Sequence, residues 1–377
     1  MNRAEIARSA SARLAGARAG EVRATIGLDG FVDEICAVVE TRADFETYAP
    51  VATIADLGRK ISAAAGQSSN YELVVKRMKL GGNGPIMAHA LATAGVGVTY
   101  VGATGFPSAH PVFAEFAERA EVIGISEPAH TDAVEFGDGK LMLGKLTPLT
   151  ELTWERLVER VGLERLVSLL EGSRLIAMNN WTMVPHMSAV LRGMLREVIP
   201  KLSPTVGGAR RIFFVDLADP EKRTRGDLAG VMKLLGEIQA YADVTLGLNL
   251  KESEQVAEVI GLPTYADPEP HIEVRAAAVR ERLGIACVVI HPRKGAAAAD
   301  QTGATGTFLG PFVRSPKIST GAGDHFNAGF ALGRVLGLSL VESLSAGVGT
   351  SGFYVREGHS PSMAELVGFL AELPGPE

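Results

Sequence analysis

The chain has only two cysteines in 377 residues, Cys36 and Cys287. Two thiols cannot build a disulfide framework, and no Cys-x-x-Cys or His-Glu-x-x-His spacing offers a structural metal site. A reducing, cytoplasmic setting is expected. There is no excess of positive charge: 37 Lys and Arg stand against 43 Asp and Glu, a net charge of -6. That balance provides no field for holding a nucleic-acid backbone, so nucleic acid is not an expected partner. No stretch approaches the ~18 consecutive apolar residues of a membrane helix, and the start lacks the apolar core of a secretory signal, so no membrane partner is expected either. Glycine (43) and proline (19) together stay below the share that marks low complexity, so the glycines must act locally. A Gly-x-x-x-x-Gly-Lys-[Ser/Thr] loop is also missing, which excludes phosphate binding of that type.

What is present describes a globular α/β chain. Hydrophobic residues make up 46% and charged residues 21%, and the length suits two domains or one large α/β domain with an appendage. Residues 1–21 carry Arg3, Arg8, Arg13 and Arg18, a composition similar to a transit peptide. Spacing of five scatters these arginines around a helix, whereas Ile6, Ala10, Leu14 and Ala17 line up, so a helical extension before a domain at 22–377 is the better expectation.

Alternation at Val22, Ala24, Ile26 and Leu28 predicts a half-buried strand, and short apolar runs predict further strands at Val98–Ala103, Arg174–Met178, Arg211–Val215, Asp243–Leu248 and Ile285–Ile290. Helical spacing appears between them at Pro85–Ala94, Pro111–Ala120, Trp154–Leu170, Met187–Ile199, Leu228–Ala240 and Glu252–Ile260. Strands alternating with helices predict a mostly parallel sheet covered on both faces. Thr131–Lys145 breaks the rhythm as two strands around Gly137-Asp138-Gly139, a good hairpin turn. With strands from residues 30–50 it predicts a small β lid, contributed by about 30–50 and 124–146. Asp29, Asn179, Asn180, Asp216 and Asn249 all fall where a proposed strand ends, the rim where open α/β sheets bind ligands.

Two segments carry chemistry. In Ser319-Thr-Gly-Ala-Gly-Asp-His-Phe-Asn-Ala-Gly-Phe330, helical spacing begins after the glycines, so Gly321, Ala322, Gly323 and Asp324 lie at a helix N-terminus. Free backbone amides and the helix dipole make such a loop an anion cradle, and Asp324 beside it is placed to accept a hydroxyl proton. Equally, Asp324 suits a helix start with no chemical role. Leu80-Gly81-Gly82-Asn83-Gly84-Pro85 is a glycine turn with proline entering a helix. The pattern Gly347-x-Gly349-x-x-Gly352 matches a dinucleotide fingerprint, but helical residues precede it where a strand is needed.

Together the two segments resemble the paired signatures of the ribokinase-like (PfkB) carbohydrate kinases, in order and in separation, over about residues 22–365. Asn249-Leu-Lys-Glu252 is similar to that family's Asn-x-x-Glu motif, although the same residues also spell a helix capping box. The resemblance implies a ribokinase-like fold and ATP-dependent phosphorylation of a sugar-like hydroxyl. It places the catalytic base on Asp324 and the anion hole on Gly321, Ala322 and Gly323. Substrate contacts fall to Gly81, Gly82, Asn83 and either Asp33 or Asp29. Asn249, Lys294, Gly295 and Thr320 are expected on the nucleotide side, and Glu252 near Mg²⁺ through water. A homodimer through the lid is a further expectation.

Departures from the pattern are equally plain. Ile318-Ser319-Thr320 stands where relatives often have Asp-Thr-Thr, which leaves a monovalent-cation site open. Ile86 stands where an Asn is usual, and His291-Pro-Arg-Lys-Gly295 replaces Thr-Leu-Gly-x-x-Gly. Ile54–Ala65 reads as an extra helix. A nucleoside kinase and a catalytically silent binding protein on the same fold remain the alternatives.

Overall fold

The structure is a computed structural model and describes residues 2–203 and 208–377. In chain order its strands are β1 (Arg23–Gly27), β2 (Phe31–Arg42), β3 (Tyr48–Pro50), β4 (Leu73–Gly81), β5 (Gly97–Gly102), β6 (Glu121–Gly124), β7 (Ala129–Phe136), β8 (Gly139–Lys145), β9 (Leu175–Met178), β10 (Ile212–Asp216), β11 (Asp243–Leu248), β12 (Cys287–Ile290), β13 (Gly295–Asp300) and β14 (Thr305–Leu309). Nine of these form one sheet in the order β14-β13-β12-β11-β10-β9-β1-β5-β6. Only the β12/β13 and β13/β14 pairs are antiparallel. Strand β10 shows why the sheet must be covered on both sides: all five residues are buried, Phe213 and Val215 in one core and Ile212 and Phe214 in the other. Such unbroken apolar runs belong to parallel strands sandwiched between helices.

A second sheet, β3-β2-β7-β8 with β4 also on β2, stands apart from the first. The β7–β8 hairpin turns at Gly137–Asp138, and Asp138 Oδ1 accepts the Ile54 amide at 2.7 Å, so the turn helps start the helix Ile54–Ala63. Strand β2 lies between β4 and β7, aligning Asp33 with Lys79 on one side and Thr131 on the other. Because β4 ends at Gly81, a lid strand runs straight into the glycine turn and the helix Asn83–Thr93.

The N-terminal helix Arg3–Ala15 buries Ala7, Ala10 and Leu14 and is closed by an Asn2–Glu5 capping box. Arg3 donates to the carbonyls of Leu373 and Pro374, and Arg13 pairs with Glu342, so the two ends of the chain are fastened together.

Some expectations are redrawn. Residues 111–120 make one 3-10 turn and a four-residue helix, and the span 154–170 is broken at Gly162, whose φ of 85° ends one helix and admits the next. The Gly347–Gly352 pattern sits inside the helix Leu340–Glu357; a Cβ at Gly347 would press on Phe326 and one at Gly349 on Leu370, so these glycines serve close helix packing. Among the described residues no helix is long and apolar enough to cross a membrane.

Candidate active site

The loop entering the helix Ala322–Val335 is a tight turn. Ala322 N–H donates to the Ser319 carbonyl at 3.2 Å, and Gly321 has φ 90° and ψ 2°, values that the third residue of a type II turn requires and that favour glycine. Gly321 is the N-cap, and among the described residues the amides of Gly321, Gly323 and Asp324 have no protein acceptor. These donors point where a helix start favours negative charge. Asp324 follows, buried, with Asn83 Nδ2 donating to its Oδ1 at 2.8 Å. The early glycine turn and the late loop therefore meet, although 241 positions separate them.

Two carboxylates explain the early glycines. Asp29, fully buried, accepts the Asn83 amide and Asn180 Nδ2 on Oδ2 (2.9 and 2.7 Å) and the Gly84 amide on Oδ1 (2.9 Å). Side chains at Gly82 or Gly84 would collide with it, and a side chain at Gly81 would overlap the Asp33 carboxylate. Asp33 lies 3.9 Å from Lys79 Nζ. Burial raises its carboxyl above the ordinary range and lowers the Lys79 ammonium, with each tempering the other's shift.

Acidic groups gather beyond Asp324. Asp216, at the end of β10, accepts from Asn327 Nδ2 at 2.7 Å. Burial first and the Glu252 charge second push Asp216 up to about 8. Burial and the charge of Asp216 likewise raise Asp324 well above its usual value. Glu252 is buried too, and its two oxygens accept the amides of Asn249 and Asp219, both at 2.8 Å. The capping box read from the sequence is thus present, since Asn249 Oδ1 also accepts the Glu252 amide. Both Glu252 oxygens are thus engaged by backbone amides. Among the described residues no cluster of three or more His, Cys, Asp or Glu is arranged as a metal cage.

Two clefts flank the loop. One of about 440 Å³ is lined by His291, Arg293, Gly295, Phe312, Gly323 and Val355, with Asn249 at its edge. The other, about 320 Å³, lies under the lid between Arg77, Lys79, Lys140, Ser319 and Thr320. Pro316 and Ser319 border both. Lys294 lines the exposed rim beside Asn249 and Lys251, and Lys140 Nζ contacts Thr320 Oγ1, so the lid touches the loop. A Cβ at Gly295 would meet the Phe308 carbonyl, so close strand pairing already accounts for that glycine.

Several participants carry no motif. Asp216 and Asn180 were marked only by standing at strand ends. Lys79 and Lys140 belong to lid strands whose partners a sequence does not reveal, and His325 and Tyr354 read as ordinary helix residues.

Against known proteins, the family model of prokaryotic ketohexokinases matches residues 3–373. The ketohexokinase of Haloferax volcanii is 32% identical over 352 residues, covering 93% of this chain and 91% of that protein. Ribokinase from Thermotoga maritima superposes with a TM-score of 0.62 at 17% identity, covering 93% of this chain and 99% of that one. Arabidopsis thaliana ribokinase complexed with ribose and ATP gives 0.59 at 15% identity, covering 93% and 98%. The fold is the ribokinase-like α/β sandwich with a small lid sheet.

Proposed function

Because this chain belongs to the prokaryotic ketohexokinase family and is an ATP-dependent carbohydrate kinase, we propose that it phosphorylates a primary hydroxyl of a ketohexose, with Asp324 as general base. The observation that carries this reading is the position of the Gly321–Asp324 helix start between two clefts, one suited to each substrate. ATP enters the larger cleft, past Asn249, Gly295 and the rim Lys294, and the sugar enters beneath the lid. Gly81, Gly82, Asn83 and Asp33 form the sugar's floor, and Lys79 and Lys140 add positive charge above it. Asp324 accepts the hydroxyl proton while Asn83 holds its carboxylate by one oxygen. The amides of Gly321, Gly323 and Asp324, with Ala322 fixing the turn, neutralise charge on the transferring phosphoryl group.

The Glu252 charge raises Asp216 and that of Asp216 raises Asp324; buried carboxylates so arranged favour a divalent cation reached through water, which Asp216 and Glu252 would hold as Mg²⁺ by its hydration shell. When bound, Mg²⁺ supplies charge neutralisation on the nucleotide phosphates. Leu73, Val75, Met78, Met142 and Leu143 are apolar and exposed on the lid strands, which supports a dimer formed through the lid. Two buried free cysteines suit the cytoplasm.

ADP release with ATP, Mg²⁺ and a panel of ketohexoses, aldohexoses, polyols and nucleosides tests the acceptor; activity confined to nucleosides would remove the ketohexose reading. Asp324→Asn tests the mechanism: turnover should fall by about 10² to 10⁴. The melting temperature should hold or rise, because a buried charge beside Asp216 is gone. A folded Asp324→Asn enzyme with near-normal turnover would sink the mechanism.

A further inference from the structure

The anion loop is held by two side chains besides its glycines. Tyr354, in the last turns of the helix Leu340–Glu357, donates its hydroxyl to the Thr320 carbonyl at 2.8 Å. His325, the residue after Asp324, lies flat on Tyr354, with ring centroids 3.6 Å apart and planes 13° from parallel. Its Nδ1 is 2.7 Å from the Gly321 carbonyl, and its Nε2 is 2.8 Å from Ser360 Oγ, in the connection to the last helix.

A carbonyl only accepts, so Nδ1 carries the proton and Nε2 accepts from Ser360. Burial agrees with a neutral ring, lowering His325 to about 3. The Gly321 carbonyl also accepts the His325 amide at 3.0 Å as the first bond of the helix, so backbone and side chain of one residue close on the same oxygen.

The grip acts on a turn that has an alternative. Type I and type II turns differ by rotation of their central peptide, here Thr320–Gly321, and glycine tolerates both. In a trans peptide the N–H points opposite the C=O. Holding the Thr320 carbonyl on Tyr354 therefore aims the Gly321 amide away from Tyr354, and a flip would withdraw it. Holding the Gly321 carbonyl fixes the start of the helix, and with it the Gly323 and Asp324 amides and the Asp324 side chain.

We propose that His325 and Tyr354 are positioning residues for phosphoryl transfer, locking the Ser319–Ala322 turn in the one peptide orientation that presents its amides to the phosphoryl group. The proposal rests on the reading of this loop as the anion hole. Neither side chain lines either cleft, so their effect is expected in the transition state and on kcat.

Tyr354→Phe keeps the stack and loses one hydrogen bond; His325→Phe keeps ring and stack and loses both of its side-chain bonds. His325→Asn restores a donor close to where Nδ1 stands. Each Phe variant should lower kcat by about tenfold or more while KM for ATP and for sugar moves less than about threefold. His325→Asn should recover most of the loss. Folded Phe variants with kcat within about twofold of the parent overturn the proposal, as does an Asn variant no better than Phe, or a loss that appears in KM alone. Asp324→Asn, assayed on the same preparations, separates the two readings. If it is inactive while the Phe variants are not, only the lock fails; if it is active, the reading of Asp324 as the base of this loop fails, whatever the Phe variants show.

Discussion

Asp29 and Asp33 lie four positions apart, and the structure gives them different work. Three donors from Asn83, Gly84 and Asn180 occupy Asp29, so it serves as the anchor of the helix Asn83–Thr93. Burial against these bonds leaves it raised to about 6. Asp33 faces Lys79 across the lid strands and keeps acceptor capacity for a hydroxyl. Asp33→Asn should therefore raise the sugar KM about tenfold, the scale of one charged hydrogen bond, with little change in melting temperature. Asp29→Asn should instead lower the melting temperature, because its amide would face donors. Sugar saturation curves and thermal melts on both variants check this, and the reverse pattern would exchange the roles.

Asp216 makes a pH prediction. Its folded value of about 8 lies above the reference value of 3.8. Below about pH 4 both states are protonated and its contribution to stability is fully present. As pH rises from there toward about 8, the unfolded chain releases a proton that the folded one keeps, so that contribution is progressively lost. The melting temperature of the ligand-free protein should fall between about pH 4 and 8, and Asp216→Asn should flatten that slope. An equal slope in the variant would place the titration elsewhere.

At the scale of elements, the helix Leu250–Val259 begins with a motif that has two uses at once. Glu252 closes the capping box and also ties down Asp219, whose φ of 63° places it in the left-handed region. Glu252→Gln turns an NH₂ toward one of these amides, so a lower melting temperature is expected. If the metal is held through Glu252, the Mg²⁺ concentration for half-maximal rate should rise as well. A lower melting temperature with unchanged Mg²⁺ dependence would leave Glu252 a helix cap alone.

The same scale shows what a sequence can reveal. Six of the seven parallel strands of the main sheet were legible from their apolar residues, whereas the edge strand β6, exposed or half-buried throughout, was not; the loop at Gly321–Asp324 was legible because a helix start needs glycine where a backbone turns left-handed. Strand β4 was not: Lys76, Arg77 and Lys79 interrupt it, and most of its residues are exposed or half-buried, so no alternation marks it. Strand β13 was hidden by its alanines, which favour helices in isolation and here lie buried in the sheet between β12 and β14. The choice between Asp29 and Asp33 was illegible for another reason. It depends on Asn180, 151 positions away from Asp29, reaching across the sheet.

At the scale of the whole molecule, the first helix belongs to the core. Leu14 is fully buried with Ala7 and Ala10 among side chains of the last helices and the sheet. Leu14→Ala should cost about 2 to 5 kcal/mol, the range for a buried leucine whose site cannot fully collapse. Because Leu14 is remote from the clefts, kcat measured well below the melting point should stay near the parent value. Denaturant melts and low-temperature kinetics on one preparation check both halves, and a cost near zero would make the helix a surface attachment.

The fastening of Arg3 to Leu373 and Pro374 also bears on how the chain comes into being. A ribosome makes Arg3 first and Leu373 370 positions later, an interval on the order of tens of seconds at cellular rates of synthesis. Until then the apolar stripe of the first helix has no permanent partner, and its own hydrogen bonds are marginal at thirteen residues. The first helix is thus made well before the segment that seats it, and the growing chain carries a waiting apolar surface while the residues between them are synthesised. Premature termination anywhere before the last helix would leave that surface uncovered, which makes truncated products of this enzyme natural clients of chaperones and proteases.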